Sequence, residues 1–238
     1  MGKSILCPYC FETFDNTEVM VQCDNFATRT IDGKPKEICE REENRLFNEH
    51  WDENVMSKHV FSPNISFLDR IRGYKPKPCK CDQCGANSSR FVCPHCNNWL
   101  PTEMIEKGSE IISVIGGPAS GKSNYIVALI NQLQKYGYKL QLGQILPQLV
   151  GRNKAEYTRN LYEKAKDSIF KYHTPVAKTA TTVHPIPWIF RLESHATKKA
   201  VYLVFYDTAG ESFKDPEEIR RNAKYLDKSR AVIVLLDT

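Results

Sequence analysis

Several features that would narrow the function of this 238-residue sequence are missing from it. No apolar stretch approaches the ~18 residues that a membrane-spanning helix needs. The opening residues, MGKSILCPYC, lack the apolar run of a secretory signal. The net charge of +5 is too small to indicate a nucleic-acid partner. We therefore expect a cytoplasmic protein with no membrane and no nucleic-acid partner.

Cysteine is absent from the second part of the chain, because all nine cysteines lie at or before Cys96. Most of them form C-x-x-C pairs, which in a reducing compartment are typical of zinc sites rather than disulfides. The glycine-rich stretch GGPASGKS begins only at Gly116. We expect a cysteine-rich zinc-binding module with a charged insertion over residues 1–107, and a second domain over residues 108–238.

The spacing of the cysteines predicts two zinc sites. Cys81-x-x-Cys84 and Cys93-x-x-Cys96 are eight residues apart, as in a zinc ribbon, where four thiolates occupy the corners of a tetrahedron. The third pair, Cys7-x-x-Cys10, needs two more ligands. We expect one site made of Cys81, Cys84, Cys93 and Cys96 and a second made of Cys7, Cys10, Cys23 and Cys39.

Alternatives to this grouping stay open. Cys79, or a histidine such as His50 or His59, could replace one ligand of the second site. The pairs could also exchange partners, with Cys7 and Cys10 joining Cys93 and Cys96. In either case the sites are structural, because a Cys₄ site leaves no position for water. A module this small and charged needs the folding energy that metal binding supplies.

The second domain alternates between apolar runs and amphipathic stretches. EIISVI (110–115) predicts a buried strand, and the amphipathic stretch after it predicts a helix that stops near Gly137. Only about six residues separate IPWIFRLE (186–193) from AVYLVFYD (200–207). A parallel crossover needs a dozen or more, so these two strands form an antiparallel hairpin if they are neighbours.

The stretch GGPASGKS satisfies the pattern G-x-x-x-x-G-K-[ST], with a strand before it and a helix after it. Glycines let the backbone wrap tightly and point its N–H groups at phosphate oxygens. The following helix adds unpaired N–H groups and a positive dipole end, and the lysine is a point charge for the β and γ phosphates. The predicted phosphate-binding residues are Gly116, Gly117, Pro118, Ala119, Ser120, Gly121, Lys122, Ser123 and Asn124.

A second motif, DTAGE, begins at Asp207, where a very apolar strand ends. Its carboxylate should therefore emerge at the carboxyl edge of the sheet, where ligands bind in open α/β proteins. Asp207 can hold Mg²⁺ through water, Ser123 can offer the ion its hydroxyl, and the backbone N–H of Gly210 can approach a γ-phosphate.

Together, GGPASGKS, the Thr-rich loop TPVAKTATTVHP (174–185), the hairpin and DTAGE resemble the translation-factor and small-GTPase class of P-loop proteins over residues 110–238. The wider layout CPYCFETF … CPHCNNWLP … IGGPASGKS is similar to the bacterial double-GTPase family, which has a zinc-ribbon front end and is associated with multi-gene conflict or defence systems. The resemblance implies an α/β P-loop NTPase sheet with an antiparallel hairpin strand, preceded by a small zinc-ribbon module. It also implies a Mg²⁺-dependent switch that binds and hydrolyses GTP and docks protein partners through its zinc module.

Residue by residue, the resemblance assigns the second GTPase motif to a single threonine, and we prefer Thr181 to Thr182. Glu211 stands where many small GTPases have the Gln that orients water, and its charge leaves the turnover rate open. The guanine-reading motif N/T-K-x-D is absent, so we expect the domain to be truncated at its C-terminus. A P-loop ATPase and a non-hydrolysing nucleotide-binding adaptor remain alternatives. The implied catalytic residues are Lys122, Thr181, Asp207, Gly210 and Glu211.

Overall fold

The chain divides into two compact units in the computed structural model, Met1–Glu106 and Lys107–Thr238. Each unit is described by itself below. The structure describes residues 3–117, 120–148, 150–151, 153, 156–176, 186–194, 200–207 and 224–236.

The first unit is built from short antiparallel strands. A central strand, β3 (Met20–Gln22), lies between β8 (Val60–Phe61) and β11 (Arg90–Val92). The other strands form four two-stranded pairs: β1 (Ser4–Leu6) with β2 (Thr13–Asp15), β4 (Thr28–Ile31) with β5 (Lys34–Glu37), β6 (Arg41–Glu43) with β7 (Met56–Lys58), and β9 (Cys79–Lys80) with β10 (Asn87–Ser88). Isolated pairs of this length are marginal in water, so other links must hold them in place.

The charged insertion over residues 36–60, which the sequence predicts to be helical or partly ordered, is partly helical. Its one helix, α1, spans Arg45–Trp51. The helix begins where the Asn44 side chain accepts a hydrogen bond from the backbone N–H of Phe47, and ends at Asp52 in a left-handed conformation. Two further short α-helices, α2 (Phe67–Arg72) and α3 (Thr102–Lys107), and a 3₁₀ helix over Asn16–Glu18 complete the helices of this unit in the residues described.

The second unit is a mixed α/β fold around a five-stranded sheet with the order β13-β14-β15-β12-β16. Its central strand, β12 (Ser109–Gly116), runs parallel to both neighbours, β15 (Ala200–Asp207) and β16 (Ala231–Leu235). β14 (Pro187–Ser194) is antiparallel to β15, and β13 (Leu142–Pro147) is antiparallel to β14. The α-helices of the described residues are α4 (Lys122–Tyr136), α5 (Thr158–Phe170) and α6 (Lys224–Asp227), and a 3₁₀ helix over Gly137–Leu140 follows α4.

The predicted hairpin between β14 and β15 is confirmed by its register, in which Trp188 faces Phe205 and Leu192 faces Val201. The stretch KLQLGQIL, which the sequence leaves as a strand or an extended loop, contributes β13 at the edge of this sheet. The sequence predicts a helix over EEIRRNAKYLDKSR (217–230); its first half, residues 217–223, lies outside the described part of the chain. None of the helices in the described part is long and apolar enough to cross a membrane.

Aromatic side chains form the centre of the core in the second unit. Phe190 on β14 is fully buried, and the rings of Tyr162 and Phe205 meet it edge-on at centroid distances of 5.6 and 5.9 Å. Such pairs add to the free energy gained by burial. The core is completed by buried residues of α4, α5 and the sheet: Val114, Ile126, Val127, Ile130, Ile145, Ala165 and Trp188. This packing fixes α4 against the sheet and so positions the bend that precedes it.

Candidate functional site

The glycine-rich bend lies between the carboxyl end of β12 and the first residue of α4. At Gly116 a Cβ atom would lie 2.6 Å from Oγ of Ser120 and 2.7 Å from the carbonyl oxygen of Leu235, so only glycine fits there. At Gly121, directly before α4, the φ angle of 78° is in the left-handed region that favours glycine. Close contacts therefore require glycine at position 116, whereas the backbone conformation favours glycine at position 121.

The side chain of Lys122 is held inside this bend and is only 6% exposed. Its ammonium donates hydrogen bonds to the carbonyl oxygens of Gly116 and Gly117, at 3.0 and 2.8 Å, and to Oγ of Ser120 at 3.4 Å. These bonds compensate for the burial of the charge. A buried cation beside a helix N-terminus makes the bend favourable for an anion.

The end of β15 lies at the same edge of the sheet as the bend. In the parallel pairing, Asp207 is level with Val114, two residues before Gly116. The backbone register therefore brings the predicted acid position beside the bend. The side chain of Asp207 lies outside the described part of the structure, as do Pro118, Ala119, Thr181, Gly210 and Glu211.

Asn124 has a contact that the sequence analysis did not foresee. Its side-chain oxygen accepts a hydrogen bond of 3.0 Å from the backbone N–H of Val176, which packs against the hydrophobic core. On the other side of the Thr-rich loop, Pro187 at the start of β14 lies opposite Tyr206, the neighbour of Asp207. A contact between residues 52 positions apart leaves no signal in the sequence.

The first unit contains two groups of four cysteines whose sulfur atoms lie within 4.8 Å of one another. We call them the first tetrad, formed by Cys7, Cys10, Cys93 and Cys96, and the second tetrad, formed by Cys23, Cys39, Cys81 and Cys84. Cys79, His50 and His59 belong to neither group.

The distances between the sulfur atoms fit a tetrahedral metal ion. In the first tetrad, Cys7 and Cys96 are 3.7 Å apart and Cys10 and Cys93 are 3.8 Å apart. In the second, the distances are 3.6 Å for Cys23 and Cys84 and 4.0 Å for Cys39 and Cys81. Zn–S bonds of about 2.3 Å place tetrahedral sulfurs about 3.8 Å apart, whereas a disulfide needs about 2.05 Å. Both tetrads could therefore hold structural zinc.

This grouping corrects the expected one, in which Cys81 and Cys84 share a site with Cys93 and Cys96, and agrees with the alternative in which the pairs exchange partners. The reason is the antiparallel pairing of β3 with β11. Cys23 follows β3 and Cys93 follows β11, so the two cysteines leave this strand pair at opposite ends. One tetrad therefore forms at each end of the β3–β11 strand pair.

All three C-x-x-C pairs adopt one backbone turn. The carbonyl oxygen of the first cysteine accepts a hydrogen bond from the backbone N–H of the residue four positions later. The backbone N–H of the same cysteine donates to the carbonyl oxygen of the residue five positions later. The residue after the second cysteine has a positive φ angle in each turn, at Phe11, Gly85 and Asn97. This repetition indicates that the backbone presents each sulfur pair in the same way.

Burial affects the protonation of the first tetrad. It raises the pKa of the Cys7 and Cys96 thiols well above the ordinary value, whereas hydrogen bonds from Cys7 and Cys93 lower the pKa of Cys10. Buried thiols resist ionisation in the absence of a nearby positive charge, and a divalent cation holds coordinating thiols deprotonated. The donor set is therefore suited to a soft divalent metal.

The grouping of the cysteines predicts the zinc content of double variants. Cys7→Ser/Cys96→Ser removes two ligands from one tetrad, so we expect one of the two zinc ions to be retained. Cys81→Ser/Cys93→Ser removes one ligand from each tetrad, so we expect both to be lost. Elemental analysis of the purified chains after dialysis measures the content. Cys79→Ser is the matched control and should retain both ions, and the opposite result for the two double variants would support the expected ribbon pairing instead.

The close contacts at Gly116 predict a loss of stability in Gly116→Ala. Because a backbone carbonyl lies 2.7 Å from the new Cβ, we expect a loss of about 1–3 kcal/mol, measured by urea unfolding. In the neighbouring control, Gly117→Ala, the new Cβ meets nothing within 4 Å. Equal losses in the two variants would contradict the geometry of the bend.

Comparison with known proteins identifies a family for the second unit. The model of the family Double-GTPase 1 matches residues 113–236. A curated relative, the putative ESX-1 scaffolding and assembly protein SaeC of Mycolicibacterium smegmatis, is 28% identical over 154 residues. The alignment covers 61% of this chain and 37% of the relative, so the chain spans little more than a third of that protein. No solved structure matches. Because the family model covers more than half of the sequence, the chain belongs to the Double-GTPase 1 family.

Proposed function

We propose that the second unit is a P-loop GTPase, which binds GTP with Mg²⁺ and hydrolyses it as a switch. The observation that carries the proposal is the position of the Lys122 ammonium, which lies inside the bend on the carbonyl oxygens of Gly116 and Gly117. Phosphate oxygens entering the bend would take over these hydrogen bonds.

The remaining site residues have roles that follow from their places in the fold. Backbone N–H groups between Gly116 and Ser123 cradle the phosphates, and the Ser123 hydroxyl is a ligand for Mg²⁺. Asp207, level with Val114 in the sheet, holds the ion through water. The other proposed roles fall on residues outside the described part of the chain. Thr181 and the backbone N–H of Gly210 respond to the γ-phosphate, and Glu211 positions the attacking water.

The sheet favours a GTPase over most P-loop ATPases. The strand immediately before the acid-bearing β15 is antiparallel to it, as in GTPases, whereas most P-loop ATPases have parallel crossovers throughout. The family match supports the same class.

The first unit is proposed to be a zinc-stabilised module that docks protein partners. Its two cysteine tetrads are closed sites without a position for substrate, which supports a structural role. The relative from Mycolicibacterium smegmatis is named as a scaffolding and assembly protein, which is compatible with protein partners. We propose that the protein acts in a bacterial multi-gene system of the conflict or defence type.

The proposed role of Lys122 predicts the effect of Lys122→Ala on nucleotide binding. Loss of the ammonium removes charge-assisted hydrogen bonds to phosphate, so we expect GTP affinity to fall by roughly 100-fold or more, measured by calorimetry with Mg²⁺. Lys135→Ala, near the end of the same helix, is the matched control and should bind GTP normally.

Two further measurements, nucleotide competition and phosphate release, decide between the alternatives. ATP that competes with GTP at equal affinity would indicate an ATPase or an unselective NTPase. Tight GTP binding without phosphate release, with and without partners, would indicate a nucleotide-binding adaptor. Unchanged GTP affinity in Lys122→Ala would contradict the assignment of the glycine-rich bend as the nucleotide-binding site.

A further inference from the structure

The short helix α2 in the first unit has no buried residue. The chain is fixed on both sides of it. Before α2, Phe61 is buried in β8. After it, Tyr74 is buried and its carbonyl oxygen accepts a hydrogen bond of 3.0 Å from the Asn16 side chain. The helix is therefore a short exposed segment between two anchored points, which we call the ridge.

The ridge carries an apolar face that the described residues of its unit leave largely exposed. Phe67, Leu68 and Ile71 are 75%, 57% and 57% exposed. At about 100° per residue these three side chains fall within one sector of about 100°. A helix of six residues gains little stability by itself in water, and clustered exposed apolar side chains mark interaction sites.

Basic side chains frame this apolar face. By the same angular spacing, Arg70 and Arg72 lie on its two sides, whereas Asp69 lies on the opposite side of the helix. Asp69 is itself engaged by the Ser66 hydroxyl at 2.9 Å and by the Lys77 ammonium at 3.4 Å. Over residues 66–80 there are five basic residues and one acidic residue. A partner must therefore offer an apolar region that can bury the exposed side chains, together with negative charge.

We propose that α2 is a peripheral contact with an anionic lipid bilayer. Phe67, Leu68 and Ile71 enter the boundary between headgroups and acyl chains, while Arg70, Arg72, Lys75 and Lys80 contact lipid phosphates. An exposed apolar helix face can enter a deformable bilayer without a preformed pocket on the partner, and the combination of apolar and basic signals is what stable but reversible anchoring needs.

This inference changes one expectation from the sequence. The expectation of no membrane partner followed from the lack of a long apolar run, and that lack bears on helices that span a bilayer. Contact at the surface needs only a short amphipathic helix with basic flanks.

Vesicle flotation of the full zinc-loaded chain tests the proposal. The probes are vesicles of phosphatidylcholine mixed with phosphatidylglycerol, and vesicles of phosphatidylcholine alone. We expect binding to the mixed vesicles, weakened by salt, and little binding to the neutral ones. Phe67→Ser/Ile71→Ser should reduce the partition coefficient by roughly tenfold or more. Arg70→Gln/Arg72→Gln should reduce it by about fivefold for each charge removed.

A matched control comes from the other unit. Tyr138 and Leu140 are 66% and 68% exposed and flank Lys139, so Tyr138→Ser/Leu140→Ser removes the same number of exposed apolar side chains. This variant should partition like the unmodified chain. Circular dichroism and zinc content should be unchanged in all variants, because none of the substituted residues is buried.

A second measurement locates the contact. In Leu68→Trp, quenching of the added tryptophan by brominated lipids should exceed that of the unmodified chain. The proposal is overturned by absent binding to anionic vesicles, by equal binding to neutral vesicles, or by binding that the α2 substitutions leave unchanged. Saturable binding of an acidic amphipathic peptide that depends on Phe67, without vesicle binding, would overturn it in favour of a protein partner.

Discussion

The candidate nucleotide site depends on the parallel pairing of β12 with β15. This pairing sets Asp207 level with Val114, so the strand that leads into the glycine-rich bend and the strand that ends in the acid reach the same edge of the sheet. Asp207 comes 91 residues after the first residue of GGPASGKS and 84 residues after its last, and only the sheet brings the two motifs together. Burial of Phe190, Phe205 and Tyr162 between the hairpin and the helices holds that register in place.

The first unit relies on a different constraint. Its strands are two to four residues long, too short to be stable as isolated pairs, although apolar side chains such as Ile5, Phe91 and Leu100 are buried in the unit. The pairing of β3 with β11 sends the cysteines that follow these strands in opposite directions. Each tetrad then links distant parts of the chain, as Cys7 is linked to Cys96 and Cys23 to Cys84. Metal binding would close loops that the short strands leave open.

Local patterns explain which of these features could be predicted from the sequence. GGPASGKS indicates a phosphate cradle because glycine, lysine and the following helix act within eight residues, and the short connection before β15 requires a hairpin. The membership of the tetrads could not be predicted, because it depends on a strand pairing between Gln22 and Arg90, 68 positions apart. The bond between Asn124 and Val176 and the exposure of α2 likewise depend on tertiary packing. The roles proposed for Thr181, Gly210 and Glu211 stay predictions.

The most direct test of the account is a crystal structure of the chain with Mg²⁺ and a non-hydrolysable GTP analogue. We expect the β-phosphate inside the bend of residues 116–123, within hydrogen-bond distance of Nζ of Lys122, and the ion between Oγ of Ser123 and the carboxylate of Asp207. A nucleotide bound elsewhere, with Lys122 still on the carbonyl oxygens of Gly116 and Gly117, would contradict the account.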